Sequence, residues 1–395
     1  MWDTMRAMAK RVLILSFSPL VSDARVLRQI RLFSHGHDVV TAGFGKGPEG
    51  VTAHIELSSV ASDPRRRVWW ARVQAVLLRL RLRRAAYWLH PDVRSAMRRL
   101  RSIDAHAVIA NDIDMVPLSL RLWRSGRVHA DLHEYFPGIH DDVPAWRRIR
   151  QPFYQLLVRR YVPRTASVTT VAPGIAEKYW EADGVEAQVV LNAPPFIDVE
   201  AHPTRKPLRL VHSGAALAGR KIDVMMRAVA ASTSDISLDL FLMPNDVQLL
   251  ASLKRLADEL GPTVVVKDPV PAADLVRVLS DYDVGLHVIP ANSFNNRHAL
   301  PNKFFDFVQA RLGLVIGPSP EMRRFVEQWG MGAVARDFDV SSLTAVLDSL
   351  TPEVVDEWKQ ASHVAAYELS AQRQVEPWRD AVEKILTSQG GDHEN

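Results

Sequence analysis

Short apolar runs alternate with longer segments whose apolar residues recur at helical spacing. Residues 11–17 (RVLILSF) form a continuous apolar run, the pattern of a strand buried on both faces. Residues 23–33 then place Val26, Ile30 and Phe33 on one helical face, and His35-Gly36-His37 closes that segment before a second run at 39–42. This predicts a βαβ start. Further strands are predicted at 104–110, 127–132, 167–171 and 188–191, and after a polar, Pro-bearing stretch at 197–207 again at 208–212, 238–243 and 263–266. Helices are predicted over 341–350, 353–366 and 372–386. Strands alternating with helices in this way define an α/β chain with parallel sheets.

Residues 281–318 carry the densest pattern. A strand over 283–289 ends at Pro290, a polar loop spans 291–300, and Pro301 opens a helix with Phe304, Phe305, Val308 and Leu312 on its inner face. Gly313 is the predicted helix stop, and a strand resumes at 314–316. Ligands of open α/β sheets bind outside the carboxyl ends of strands. His298, Asn302, Lys303 and Asp306 stand at that edge. Lys303 suits a phosphate, and Asp306 suits the diol of a ribose. The same two residues, three apart, also read as an ordinary solvated helix pair.

The chain has 395 residues, too many for one ordinary core, so two domains are expected: 1–200, and 201–370 followed by a last helix and tail at 371–395. There is no Cys, which excludes disulfides and thiolate metal sites. No apolar run reaches the roughly 18–20 residues that span a bilayer. Residues 1–10 are too short and too polar to read as a signal peptide, a cytoplasmic location is the default, and the tail 387–395 reads as disordered. The first βαβ lacks Gly-x-Gly-x-x-Gly, which argues against a nicotinamide enzyme.

Three loops hold further chemistry. In 212–221 (HSGAALAGRK) a strand ends, small residues let backbone approach a ligand, and Arg220 and Lys221 open a helix. A plain surface loop has the same composition. His133 and Glu134 follow the strand at 127–132. His133 also reads as a structural residue, and Glu134 is an alternative acid or base. Asn192 follows the strand at 188–191.

The run LPNKFFDFVQARLGLVIGP resembles the nucleotide-sugar signature of GT-B glycosyltransferases of the family 4 (group 1) type. The resemblance implies two Rossmann-like domains facing a central cleft, with a C-terminal helix that crosses back to the first domain. It implies transfer of a sugar from a nucleotide-sugar donor to an acceptor hydroxyl, retaining and without a metal or other cofactor. Asp306 matches the carboxylate that holds the donor ribose. The family's other carboxylate falls at His298, so the chain carries His-x7-Asp where the family has Glu-x7-Glu, and Arg311 stands where the family has a Gly. By match, Gly214, Arg220 and Lys303 would serve the diphosphate, with Lys221 as a substitute and Asn302 beside the donor. His133 would act at the donor sugar. Asp23, Arg25, Glu134 and Asn192 would face the acceptor. Asn192 resembles the Asn of a "pNGvd" element, with Ala193 replacing its Gly.

Residues 65–101 differ from the rest. Twelve Arg face one acid, Asp92, and Trp69, Trp70, Tyr87 and Trp88 lie among them, with Val73, Val76, Leu77 and Leu80 at helical spacing. Arg147, Arg148, Arg150, Arg159, Arg160 and Arg164 extend the charge. The pattern is that of a basic amphipathic helix on an anionic membrane, which would make the enzyme peripheral on the inner face and its acceptor a lipid-linked glycan or polysaccharide precursor. A nucleic-acid surface and a merely solvated helix share the composition. Two other functions use the same fold: a nucleotide-sugar epimerase, and a scaffold without turnover.

Overall fold

A computed structural model describes residues 9–290 and 293–388. The expectations for residues 1–8, for 291–292 of the polar loop and for 389–395 of the tail lie outside the described residues. The chain divides into two compact units, Met1–Val190 with Ser293–Asn295 and Val375–Asn395, and Leu191–Asn292 with Asn296–Gln374.

The first unit is built on a parallel seven-stranded sheet. Its strands are β1 (Arg11–Pro19), β2 (Asp38–Phe44), β3 (Ala53–Leu57), β4 (Ala107–Asn111), β5 (Val128–Leu132), β6 (Ser167–Thr170) and β7 (Gln188–Val189), in the order β3-β2-β1-β4-β5-β6-β7. The order reverses between β1 and β4, the switch point at which α/β sheets open a crevice. Asp23 starts the helix Ala24–Ser34 by accepting from the backbone N–H groups of Arg25 and Val26 at 3.2 and 3.1 Å. That helix buries Val26, Ile30 and Phe33 with Val12, Ile14 and Trp378 in one core. The helix Glu376–Ser388 adds Val382, Ile385 and Leu386 to it.

The second unit has a parallel six-stranded sheet, β8 (Leu208–Ala215), β9 (Ile236–Met243), β10 (Val264–Lys267), β11 (Val284–His287), β12 (Gly313–Ile316) and β13 (Gly332–Val334). Its order is β10-β9-β8-β11-β12-β13, with the switch point between β8 and β11.

The sequence expectations change in several places. The predicted strand at 188–191 shortens to Gln188–Val189, and β3 is an edge strand that the apolar pattern did not reveal, because its sequence AHIEL is half polar. The amphipathic run 372–386 is two helices, Ala371–Gln374 and Glu376–Ser388. Gly313 does not stop the helix Asn302–Gln309; it opens β12. Arg311 takes the left-handed position instead, at φ +63°. Its strain is offset by a buried guanidinium that donates to the carbonyls of Gln309 at 2.6 Å and Ile197 at 2.8 Å and lies over the Phe196 ring.

The stretch 65–101 is three helices, Pro64–Arg79, Arg83–Trp88 and Pro91–Leu100, and not one. Arg81 at φ +59° breaks the first from the second, and His90 caps the third. Of the apolar positions at helical spacing, Val76 and Leu80 are 52% and 64% exposed, while the neighbouring Trp70 and Leu78 are buried.

Candidate functional site

In the second unit the loop after β8 and the start of the helix Asn302–Gln309 meet at the switch point. Gly214 lies at φ +153°, and a Cβ placed on it would stand 2.8 Å from Nζ of Lys303 and 3.1 Å from a guanidinium nitrogen of Arg220. Two cations therefore converge on one stretch of bare backbone. Arg220 ends the turn Ala218–Arg220, and Lys221 adopts φ +44° before the helix Ile222–Ala231. The Lys221 side chain is exposed, as is Asn302.

Asp306 follows Lys303 by one helical turn. Burial pushes the Asp306 carboxyl up to about 6, against the pull of Lys303. Burial and Arg220 bring the Lys303 ammonium down to about 8, against Asp306. Beneath them the rings of His212 and His287 stack at 5.9 Å. Nδ1 of His212 donates to the Leu286 carbonyl at 2.8 Å, which fixes the neutral tautomer. Burial and Lys303 hold His212 down to about 3, and the same two causes keep His287 neutral. Both are polar residues inside otherwise apolar strands, a signal that sequence spacing did not exploit.

His298 lies at the other side of this helix start, with Nδ1 3.3 Å from a carboxylate oxygen of Glu321. Glu321 is 2% exposed and comes from the first turn of the helix Pro320–Trp329. A carboxylate thus stands against the position where the resemblance expects one, supplied from a different element. Asn192 belongs to the second unit and is half-buried.

In the first unit, Asp131 of β5 is a fully buried hub. It accepts from Arg25 at 2.7 and 2.6 Å, Gln29 at 2.7 Å, Thr169 at 2.6 Å and the Trp378 indole at 3.3 Å. Although burial alone would raise its carboxyl, the Arg25 guanidinium and His133 hold it well below the usual range. Arg25 is 4% exposed and also donates to the Val190 carbonyl at 2.7 Å. That corrects the expectation for Arg25: its guanidinium is spent inside the fold and does not face an acceptor. Asp23 is a helix cap whose second oxygen accepts from Ser18.

His133 caps the same network from the surface, 19% exposed. Nε2 lies 3.1 Å from Asn111 Oδ1 and 3.3 Å from Asp131, and Nδ1 lies 3.6 Å from Asp112. Burial opposes its charge, but Asp112 and Asp131 outweigh burial and raise its pKa. Glu134 beside it is pushed up by burial and by Asp112, and it accepts from the Asn295 amide at 3.5 Å. Among the described residues no group of three or more His, Asp or Glu is placed to hold a metal ion.

The close approach at Gly214 has a direct consequence. Gly214→Ala drives a methyl group into the Lys303 ammonium and the Arg220 guanidinium. Affinity for inorganic pyrophosphate, read by calorimetry, is expected to fall at least tenfold with the melting temperature held within a few degrees. Unchanged affinity would remove Gly214 from the site.

Two parallel sheets with this order and a C-terminal helix returned to the first unit define the GT-B fold. No protein-family model and no curated protein matches the chain. Solved structures do. An α,α-trehalose 6-phosphate synthase from Burkholderia multivorans is 12% identical with a TM-score of 0.65, over 97% of this chain and 100% of that one. WaaG, a glycosyltransferase involved in lipopolysaccharide biosynthesis, is 12% identical with a TM-score of 0.59, over 94% and 98%. HepE of Anabaena, solved in complex with UDP, is 12% identical with a TM-score of 0.63, over 96% and 99%. At this identity the likeness is one of fold.

Proposed function

We propose that the protein is a glycosyltransferase that moves a sugar from a nucleotide-sugar donor to an acceptor hydroxyl. The observation that carries the proposal is the convergence of Lys303 and Arg220 on the bare backbone at Gly214, one turn from Asp306. That is the arrangement a nucleoside diphosphate needs: cations and backbone for the phosphates, a carboxylate for the ribose. The UDP complex of a protein with the same fold supports it. In the reaction the bond from the anomeric carbon to the diphosphate oxygen breaks with its electron pair, the acceptor oxygen bonds to that carbon, and the acceptor's hydroxyl proton passes to the departing diphosphate oxygen. Arg220 and Lys303 neutralise the departing charge. His133 acts at the donor sugar, and Glu134 is the alternative acid or base. The transfer is retaining and needs no metal in this reading. Glu321, held against His298, takes the part of the missing motif carboxylate toward the sugar hydroxyls. A panel of sugar nucleotides in a thermal-shift assay tests the proposal, because a ligand of the native state raises its melting temperature by mass action. Product analysis with and without acceptor separates transfer from epimerisation. If no sugar nucleotide shifts the melting temperature and none is slowly hydrolysed, the enzyme reading fails.

The pH dependence of nucleoside diphosphate binding follows from Lys303. Its charge is present below about 8 and is lost above it, so affinity is expected to fall as pH rises through that value. Lys303→Met should flatten that limb in calorimetry; an unchanged limb would detach Lys303 from the phosphates. The acid limb mixes Asp306, near 6, with the ligand's own phosphate proton, and Asp306→Asn separates the two.

The acceptor is lipid-linked in this reading, presented at the inner face of an anionic membrane. Its support is the helix Pro64–Arg79, where Arg65, Arg66, Arg67 and Arg72 are exposed beside Trp69 at 63% and Val68 at 48% exposure. No described helix is long and apolar enough to cross a membrane. Recovery with anionic vesicles is expected to exceed recovery with neutral ones, to weaken with salt, and to drop when Arg65, Arg66 and Arg67 become Glu. Equal recovery on both vesicle types at low salt contradicts the electrostatic part.

A further inference from the structure

The first unit carries a cavity that the sugar chemistry does not use. It lies among the helices Arg83–Trp88, Pro91–Leu100, Val116–Leu122 and Gln151–Tyr161 and measures 510 Å³. Arg84, Arg121, Arg160 and Arg164 line it, all four exposed. Among the described residues none of the four forms an ion pair with a carboxylate. The adjacent Arg159 does: it pairs with Asp183 at 2.7 Å. The remaining wall is apolar, with Trp88, Leu120 and Tyr161 facing the same space. A second cavity of 500 Å³ shares Arg160 and adds Arg83.

These features select a ligand class. Four like charges around one space repel, and only an anion offsets them. All four are Arg, whose planar fork matches phosphate oxygens two at a time, whereas Lys offers a point charge. A bare phosphate would fill a small part of the volume and would leave Trp88, Leu120 and Tyr161 against water. A phosphate esterified to an apolar chain satisfies both walls. We infer that this cavity is a binding site for the phosphate group of an amphiphile, with the guanidinium groups on the phosphate and the apolar part against Trp88, Leu120 and Tyr161. The site is separate from the donor residues of the second unit, so either reading can fail without the other.

The test uses the full chain and three probes: inorganic phosphate, dodecyl phosphate below its micellar concentration, and phosphatidylcholine vesicles with or without phosphatidic acid. Dodecyl phosphate is expected to bind at least tenfold more tightly than inorganic phosphate. The double variant Arg121→Gln, Arg164→Gln should lose at least tenfold in that affinity with an unchanged melting temperature, since both side chains are exposed. The triple variant Arg65→Gln, Arg66→Gln, Arg67→Gln should keep it, which separates the cavity from the general basic surface. If the double variant also lowers recovery with phosphatidic acid vesicles, the source is a membrane lipid. If vesicles are ignored while dodecyl phosphate binds, the source is a soluble phosphorylated amphiphile, and the cavity assignment stands. The inference is overturned if dodecyl phosphate binds no better than inorganic phosphate, if the double variant binds it equally well, or if a short nucleic-acid duplex occupies the arginines and excludes it.

Discussion

Asp131→Ala is expected to destabilise the first unit by about 3–5 kcal/mol, the usual result of stripping a partner from a buried charge. The reason lies in the placement of the hub. The carboxylate accepts two short bonds from Arg25, and both side chains are almost wholly removed from water. Removal leaves the guanidinium without its carboxylate beneath Trp378, which it faces at 4.5 Å, and takes one acceptor each from Gln29 and Thr169. The cost is one of broken pairing and not of a uniquely favourable ion pair, so the apolar double replacement Arg25→Met, Asp131→Leu should recover much of it. Asp131→Asn, which keeps the shape and loses the charge, should fall between. The folded carboxyl titrates below its ordinary value, so its contribution is complete above about pH 4 and is lost as pH falls further. Denaturant unfolding of the full chain reads the change. A loss below 1 kcal/mol for Asp131→Ala would mean that water or a rotated side chain already serves Arg25.

Lys303→Ala and Arg220→Ala should each lower turnover by about a hundredfold or more with the donor found in the nucleotide panel, the usual loss when one preorganised group is removed from developing charge. Bond breaking places negative charge on the diphosphate, so the cations matter more as the bond breaks than in the ground state. The ratio of kcat loss to KM loss is therefore the informative quantity: kcat should carry most of it. Both residues point at one spot, and their effects should be less than additive. Wild-type turnover in either variant would place the leaving group elsewhere.

The sheet strands were legible because a strand of a parallel sheet is buried on both faces and reads as an unbroken apolar run. Val12–Leu15, Val284 and Leu286, and Leu314–Ile316 have 0–1% exposure. β3 escaped notice because an edge strand needs no such run. The basic stretch read as one helix because nothing in its composition marks Arg81, whose left-handed backbone divides it, and Trp70 and Leu78 are buried while Val76 and Leu80 face outward. The cluster of Gly214, Arg220, Lys303 and Asp306 was legible as candidates through a resemblance in one motif and a loop, and its common placement follows from the strand order. Glu321 was not legible, since it reaches His298 from a helix 23 residues along the chain. Asp131 and its partners Gln29 and Trp378 were missed altogether. The available signal was a charged residue in the middle of a buried strand, VHADL, which must find its partner far away in sequence.

The most direct measurement is a pair of calorimetric titrations with each nucleoside diphosphate and its bare nucleoside, on the wild type and on Asp306→Ala. The predicted result has two parts. At least one nucleoside diphosphate binds tenfold or more tightly than its nucleoside, which reports the cations. Asp306→Ala weakens that nucleoside diphosphate by about 1.5–3 kcal/mol, which reports the ribose. If every nucleoside diphosphate binds no better than its nucleoside, or if Asp306→Ala leaves the affinity unchanged, the edge of the second sheet is not a nucleotide-sugar site.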